Sequence, residues 1–245
     1  MIDPTGKFAI VAGNAEALGY PIASELVRLG MRVAVLDDDS AALDAFVEQQ
    51  RRAGGELHPV VTDFSDAAAT QAAAEEAIGR YGPPRLLVHN SAIFRERPLS
   101  ELSYLDWRRE SDSILQSAFV LSKAIWPAMV QARDGSIVYV SSGSAINGFA
   151  SEAAYVAGKH GQEGLMKVLA LEGKEFNIAV NSITTGAPID GPLAYTYSEA
   201  MRAVMVPPAA LAPAFGFLAG ADADFATGHR FNAYQISEAI RLASR

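Results

Sequence analysis

Phe8-Ala9-Ile10-Val11-Ala12-Gly13-Asn14-Ala15-Glu16-Ala17-Leu18-Gly19 decides how this chain is read. The unbroken apolar run between Gly6 and Gly13 suits a strand buried on both faces, as in a parallel sheet covered by helices. A turn with two glycines follows. It leads into an amphipathic segment, residues 16–30, that stops at Gly30 as a helix does. The same alternation recurs down the chain. Residues 32–36 read as a second strand running into Asp37-Asp38-Asp39, and Ser40 is placed to cap a helix reaching about Ala53. Residues 57–61 are a third strand, and 66–81 an alanine-rich helix closed by Gly82-Pro83-Pro84. A fourth strand covers 85–89, a long helix 103–131, a fifth strand 136–140, a helix 152–173, a sixth strand 178–183 and a short seventh 229–233.

Strands alternating with helices of this length predict an α/β fold: a doubly wound, mostly parallel, seven-stranded sheet with helices on both faces. No linker or composition break interrupts 1–245, so a single domain is expected. In such a sheet, ligands bind beyond the carboxyl ends of the strands. Gly13, Asp37, Asn90, Ser141, Ser142 and Gly186 all fall there.

Composition narrows the chemistry. The 245 residues contain no cysteine and carry a formal net charge of -8. Disulfides, thiolate metal sites and cysteine nucleophiles are excluded. A nucleic-acid role is disfavoured, because phosphate binding needs a clustered cationic face. The four histidines show no metal-ligand spacing, and no metal is expected. The start lacks the basic-then-apolar pattern of a secretion signal, and a cytoplasmic protein is expected. Between Arg202 and Asp222 lie 19 uncharged residues, but Pro207, Pro208, Pro213, Gly216 and Gly220 would break a spanning helix. That stretch reads as a buried helix-loop-helix, and no membrane association is expected.

Two groups of residues point to chemistry. The first is the turn at 12–19 with Asp37, which ends the second strand. Glycines there let a backbone approach a pyrophosphate, and a carboxylate at the strand end accepts hydrogen bonds from an adenosine ribose. Asp37 would repel a 2′-phosphate, favouring NAD over NADP. The competing reading is a plain strand-to-helix turn followed by three solvated acids. The second group is Tyr155-Val156-Ala157-Gly158-Lys159, with Ser142 at the end of the fifth strand. Spacing i, i+4 puts phenol and ammonium on one helix face. A nearby lysine charge lowers a tyrosine pKa, making proton transfer accessible near neutrality. With 8 tyrosines and 5 lysines, such a pair arises by accident about 0.16 times, and the upstream serine lowers this to roughly 0.01.

On these residues the chain resembles the short-chain dehydrogenase/reductase superfamily, in its single-domain branch with a Rossmann-type fold. The resemblance runs from Phe8 to about Ala233. It takes in the turn at 12–19, Asp37, Asp63, His89-Asn90-Ser91-Ala92, Trp107 to Phe119, Ser142, Tyr155, Lys159, Asn181 to Gly186 and Ala226 to Asn232. The resemblance implies that Tyr155 is the general acid/base. It implies that Lys159 supports Tyr155 and binds the nicotinamide ribose, and that Ser142 orients the carbonyl or alcohol. Gly13, Ala17, Leu18, Gly19, Asp37, Asp63, Phe64, Asn90, Ala92, Lys159 and Gly186 would bind the cofactor. The implied reaction is NAD-linked hydride transfer between a secondary alcohol and a ketone. Residues 187–212 would form a substrate lid carrying Tyr195 and Tyr197. The chain would be a homotetramer or homodimer, with helices 103–131 and 152–173 on a partner. Phe94, Trp107 and Trp126 are expected to pack in the core or an interface.

The chain also departs from the family. Ala12 and Ala17 replace the usual threonine and middle glycine of the turn, and Thr185-Gly186 replaces Pro-Gly. The asparagine that supports a proton path to the lysine would fall at position 114, which is Ile114, and 104–132 contains none. The relay either uses another group, such as Gln116 or Ser111, or is absent. Two further readings therefore stand beside the oxidoreductase: a non-catalytic binder of a nucleotide or partner, and a halohydrin-dehalogenase-like lyase. Lys159 and Ala17 count against the lyase, which carries arginine and an aromatic residue there.

Overall fold

A computed structural model describes residues 2–14 and 17–243. Strand β1 (Phe8–Ala12) lies near the centre of a seven-stranded sheet. The chain passes through α1 (Gly19–Arg28) to β2 (Arg32–Asp37), then through α2 (Ser40–Arg52) to β3 (Leu57–Val61) at one edge. Helix α3 (Ala67–Tyr81) carries it back across to β4 (Leu86–His89) on the other side of β1. Helices α4 (Tyr104–Ser111) and α5 (Ser117–Ala132) lead to β5 (Gly135–Val140), and α6 (Ala153–Gly173) to β6 (Ile178–Thr184). The short α7 (Glu199–Arg202) and α8 (Ala212–Ala219) precede β7 (Arg230–Asn232) and the last helix, α9 (Ala233–Ala243). The order is β3-β2-β1-β4-β5-β6-β7, and every neighbouring pair is parallel. Winding direction reverses between β1 and β4, which opens a crevice at their carboxyl ends.

Period-2 alternation sorts the side chains into two cores. Ala9 and Val11 face α1, α2 and α8, packing near Ile22, Leu26, Leu43, Phe215 and Leu218. Phe8 and Ile10 face α3, α5 and α6, with Leu121, Ile125, Met129 and Met166. Each such buried aliphatic side chain contributes about 2 kcal/mol.

Several boundaries differ from the sequence reading. Helix α1 begins at Gly19; residues 15 and 16 lie outside the described residues. Asp39, not Ser40, caps α2, accepting from the Ala42 amide at 3.0 Å. Both side chains have capping chemistry, and the extended backbone at Asp39 decides between them. The long helix is interrupted by one π-helical turn, Asp112–Gln116, between α4 and α5. Tyr104–Ala132 is, among the described residues, the helix long and apolar enough to cross a bilayer; its Leu121, Ile125 and Met129 pack into the sheet core. The uncharged 203–221 stretch forms a one-turn 3-10 helix at Pro208–Leu211 followed by α8, whose Phe215 and Leu218 are buried.

Candidate active site

The site is built at the carboxyl edge of the sheet. Gly13 leaves β1 with φ +87°, and its amide donates to the Leu36 carbonyl at 2.8 Å. A Cβ there would come within 2.5 Å of the Ser91 Cα, so only glycine fits. From β4, Asn90 ties down the same turn: its amide donates to the Ala12 carbonyl at 2.7 Å and its Nδ2 to the Gly13 carbonyl at 3.3 Å. Asn14 Oδ1 accepts from the Tyr20 amide at 3.1 Å in the first turn of α1. Ala17 adopts φ +56°, the left-handed conformation a glycine takes freely and an alanine reaches at a cost of about 1 kcal/mol. The turn thus keeps a glycine-like backbone without its middle glycine.

Two clefts lie along this edge. The smaller, about 260 Å³, is lined by Gly13, Asp37, Asp63, Phe64 and Ala92. The larger, about 650 Å³, holds Leu18, Asn90, Ser142, Tyr155, Lys159 and Gly186. Ala92 lines both, so they meet at the β1–β4 crevice. Ala17 lines neither; it faces a groove between α1 and α2 that Ala209 and Ala212 border. Gly19 is buried against the Gly13 carbonyl, where a side chain would overlap it.

Asp37 is buried, and its Oδ1 accepts from the Asp38 amide at 2.8 Å. Burial pushes its carboxyl above the usual carboxylate range. The Tyr20 phenol, stacked on Phe46 at 4.4 Å, is raised by its own burial and by Asp37. Asp63 accepts from the Ser65 hydroxyl at 2.7 Å and the Ser65 amide at 2.8 Å, which hold it below its ordinary value.

The Ser-Tyr-Lys group comes together in the larger cleft. Gly158 and Gly161 let α6 press against Ile114 and Leu115 of the π turn, because any side chain on them would crowd those residues. That contact sets Lys159 deep behind β5, 3% exposed, with Nζ 2.6 Å from the Val140 carbonyl and 5.7 Å from the Tyr155 ring centre. Ser142 follows β5, its Oγ accepting from the Ser144 amide at 3.2 Å.

The sequence reading missed four residues. Phe94, expected in a core or interface, instead meets the Tyr155 ring edge-on at 4.9 Å and lines the larger cleft. Glu163 accepts from Ser141 Oγ at 2.5 Å and Ser182 Oγ at 2.9 Å, and pairs with Arg230 Nε at 3.3 Å. Arg230 Nη2 also donates to the Ser142 carbonyl at 2.8 Å, so α6, β6 and β7 all brace the end of β5. His89 is fully buried, and burial, then the Lys159 charge, push its pKa down to about 3. Glu163 was findable: it continues the i, i+4 ladder Tyr155, Lys159 on one helix face. Trp107, expected in the core or an interface, is exposed and stacks on Tyr104, whereas Trp126 covers Gly173 and packs against the core as expected. In the 187–212 segment, Tyr197 and Met201 line the larger cleft while Tyr195 is exposed.

Known proteins resemble this chain in sequence and in fold. The family profile described as short chain dehydrogenase matches residues 7–199. The chain is 33% identical over 179 residues to D-threitol dehydrogenase of Mycolicibacterium smegmatis, covering 73% of this chain and 69% of that one. It is 31% identical over 232 residues to cyclohexanol dehydrogenase of an Acinetobacter species, covering 92% of each. Among solved structures, a metagenomic short-chain oxidoreductase in complex with NADP superposes with a TM-score of 0.81 at 27% identity, over 94% of this chain and 97% of that one.

Proposed function

The chain belongs to the short-chain dehydrogenase/reductase family of oxidoreductases, and from that premise we propose that it interconverts a neutral secondary alcohol and its ketone with NAD. The observation that carries the proposal is the convergence of Ser142, Tyr155 and Lys159 on one cleft that opens into a second, acid-lined cleft. The donor set fits a dinucleotide. Asp37 sits at the end of β2 where ribose hydroxyls would be accepted, Gly13 leaves backbone room, and Asn90 holds the turn open. Among the described residues, the smaller cleft has Asp37, Asp38, Asp39 and Asp63 and no cationic side chain. A 2′-phosphate there would meet only like charge, at several kcal/mol; this supports NAD over NADP. NAD bound in the groove supplies the hydride acceptor. The protein's part is proton chemistry and placement. Ser142 Oγ holds the substrate oxygen, the Tyr155 phenolate oxygen takes the hydroxyl proton, and the Lys159 ammonium keeps that phenolate accessible.

The larger cleft also bears on substrate charge. Glu96 and Glu152 line it, and among its described residues Lys159 carries the one cationic side chain. Glu152 accepts from Ser144 Oγ at 2.7 Å, and burial raises its pKa. An anionic acyl or sugar-acid substrate would find no counter-charge there beyond Lys159, which this reading assigns to Tyr155, and would face Glu96 and Glu152. A neutral alcohol fits between Ser142 and the apolar Phe94, Phe149 and Met201. Cyclohexanol and D-threitol are the substrates named by the two relatives, and both are neutral. Residues 187–212 act as the lid in this reading. Exposed apolar Tyr104, Leu105 and Phe119 on α4 and α5, with Val168 and Leu171 on α6, support burial of these helices in a homotetramer or homodimer. A cytoplasmic setting accords with the cysteine-free sequence.

Calorimetric titration with NADH and NADPH, followed by NAD-dependent oxidation of cyclohexanol and D-threitol, tests the proposal. NADH binding well above NADPH, with turnover lost in Tyr155→Phe, is the expected result. Binding of neither nucleotide would return the chain to the non-catalytic and halohydrin-dehalogenase-like readings.

A further inference from the structure

The lysine in this site lacks the helix asparagine its family uses. The two substitutes the sequence offers are engaged elsewhere: Gln116 Nε2 donates to the Ser65 carbonyl at 3.3 Å, and Ser111 Oγ donates to the Arg108 carbonyl at 3.1 Å. A different pair is joined to the lysine. Lys159 Nζ is 3.4 Å from Gln162 Oε1, Gln162 Nε2 is 3.0 Å from His89 Nδ1, and His89 Nε2 is 2.8 Å from Ser117 Oγ. Ser117 Oγ in turn donates to the Ser113 carbonyl at 2.7 Å, inside the π turn. Lys159, Gln162, His89 and Ser117 are all buried.

The chain of bonds has one direction. An ammonium only donates, so Gln162 Oε1 accepts and its amide nitrogen faces His89. An amide nitrogen only donates, so His89 Nδ1 accepts and its proton sits on Nε2, aimed at Ser117. Every polar atom along the path is then used, which is what burial requires. We propose that Gln162 and His89 are the positioning residues for Lys159, linking it to the π turn in place of the asparagine that Ile114 displaces. The inference rests on the oxidoreductase reading for the purpose of the lysine, but not for its geometry. The path is no proton wire: an amide does not relay protons, and burial keeps His89 neutral near pH 7. The Tyr155 proton therefore exchanges through the open cleft, and the buried path holds the lysine in place and charged. Other titratable groups in this layer are Tyr139 on β5, whose ring meets His89 edge-on at 6.1 Å and whose hydroxyl is 2.6 Å from Ser122 Oγ, Tyr155 and Glu163 on α6, and Arg230 on β7, which is joined to Glu163. Asp112 on the π turn is engaged with Arg108 at 2.9 Å.

The test uses two NMR readouts and one kinetic readout on the full chain. In protein carrying 13C-labelled lysine, with the Lys159 signal assigned through Lys159→Arg, the Lys159 pKa in Gln162→Met should fall by about one unit, as expected for losing one long hydrogen bond to a charge. The pH profile for NAD-dependent cyclohexanol oxidation should move to higher pH. In the unaltered protein, 15N imidazole shifts should show His89 protonated on Nε2 and neutral to below pH 5. A Lys159 titration unchanged by Gln162→Met overturns the proposal, as does His89 carrying its proton on Nδ1 or titrating near pH 6.5. Should Gln162→Met not fold, the His89 measurement decides alone. Wild-type protein that neither binds NADH nor oxidises cyclohexanol or D-threitol would defeat the functional reading, while the lysine and histidine signals would still decide this one.

Discussion

Lowering the pH from 7 to 5 is expected to cost the native protein about 2 kcal/mol through His89 alone. The imidazole has no exposed surface, and its pKa is about 3 in the fold against 6.5 for an unburied histidine. The sign follows from which state binds the proton. A folded pKa below the unfolded one means the unfolded chain takes up the proton first. The stability due to neutral His89 is therefore full above pH 6.5 and drains as pH falls toward 3. Below 6.5 the slope approaches about 1.4 kcal/mol per pH unit. Integrated from pH 7 to 5, it gives about 2 kcal/mol. Other groups respond differently. Asp63, Asp106 and Asp222, held low, lose their contribution mainly below this range, whereas Asp37, Glu110 and Glu152, pushed up, favour the fold as pH falls. The comparison should therefore be with His89→Asn, which keeps a hydrogen-bonding side chain and has no group to titrate there. Urea unfolding, followed by fluorescence of Trp107 and Trp126 at fixed protein concentration, would be run at both pH values. The wild type should lose about 2 kcal/mol more than the variant between pH 7 and 5. Equal losses would refute the account of His89 as a buried neutral base.

Four further outcomes follow from the geometry. Tyr155→Phe should abolish NAD-dependent oxidation while leaving the thermal midpoint within a few degrees, read by steady-state kinetics and calorimetry. Asp37→Ser should raise NADPH affinity relative to NADH by about tenfold or more, because a like charge is removed from the ribose end of the smaller cleft. Gly19→Ala should destabilise the fold by about 2 kcal/mol and weaken NADH binding, since the added methyl overlaps the Gly13 carbonyl; urea unfolding and titration read both effects. Glu163→Ala should cost about 3 kcal/mol in urea unfolding, because Arg230 and the Ser141 and Ser182 hydroxyls lose a common buried partner.

What was legible in the sequence was periodic or local. The apolar run at 8–12 and its repeats along the chain are strands because residues buried on both faces need no alternation. Tyr155 and Lys159 share a face by helix geometry alone, and Asp37 is at a strand end by simple counting. The boundaries that moved were local competitions. Asp39 and Ser40 both have capping chemistry, and the backbone conformation around them chose the aspartate. The substrate side was less readable. Phe94 read as a core or interface residue, yet the chain after β4 carries it back onto the Tyr155 ring.

The sequence by itself determined the alternating α/β order, the strand-end carboxylate and the Tyr-Lys pair, because each depends on neighbours within a few residues. The tertiary structure decided what surrounds the lysine. His89 and Gln162 are 73 positions apart and meet only because α6 packs on the face of the sheet toward which His89 of β4 points. The π turn takes its place against Gly158 and Gly161, which lie more than 40 positions later in the chain. Hydrogen bonds between such distant groups are set by how layers dock, and no periodicity in the chain encodes them.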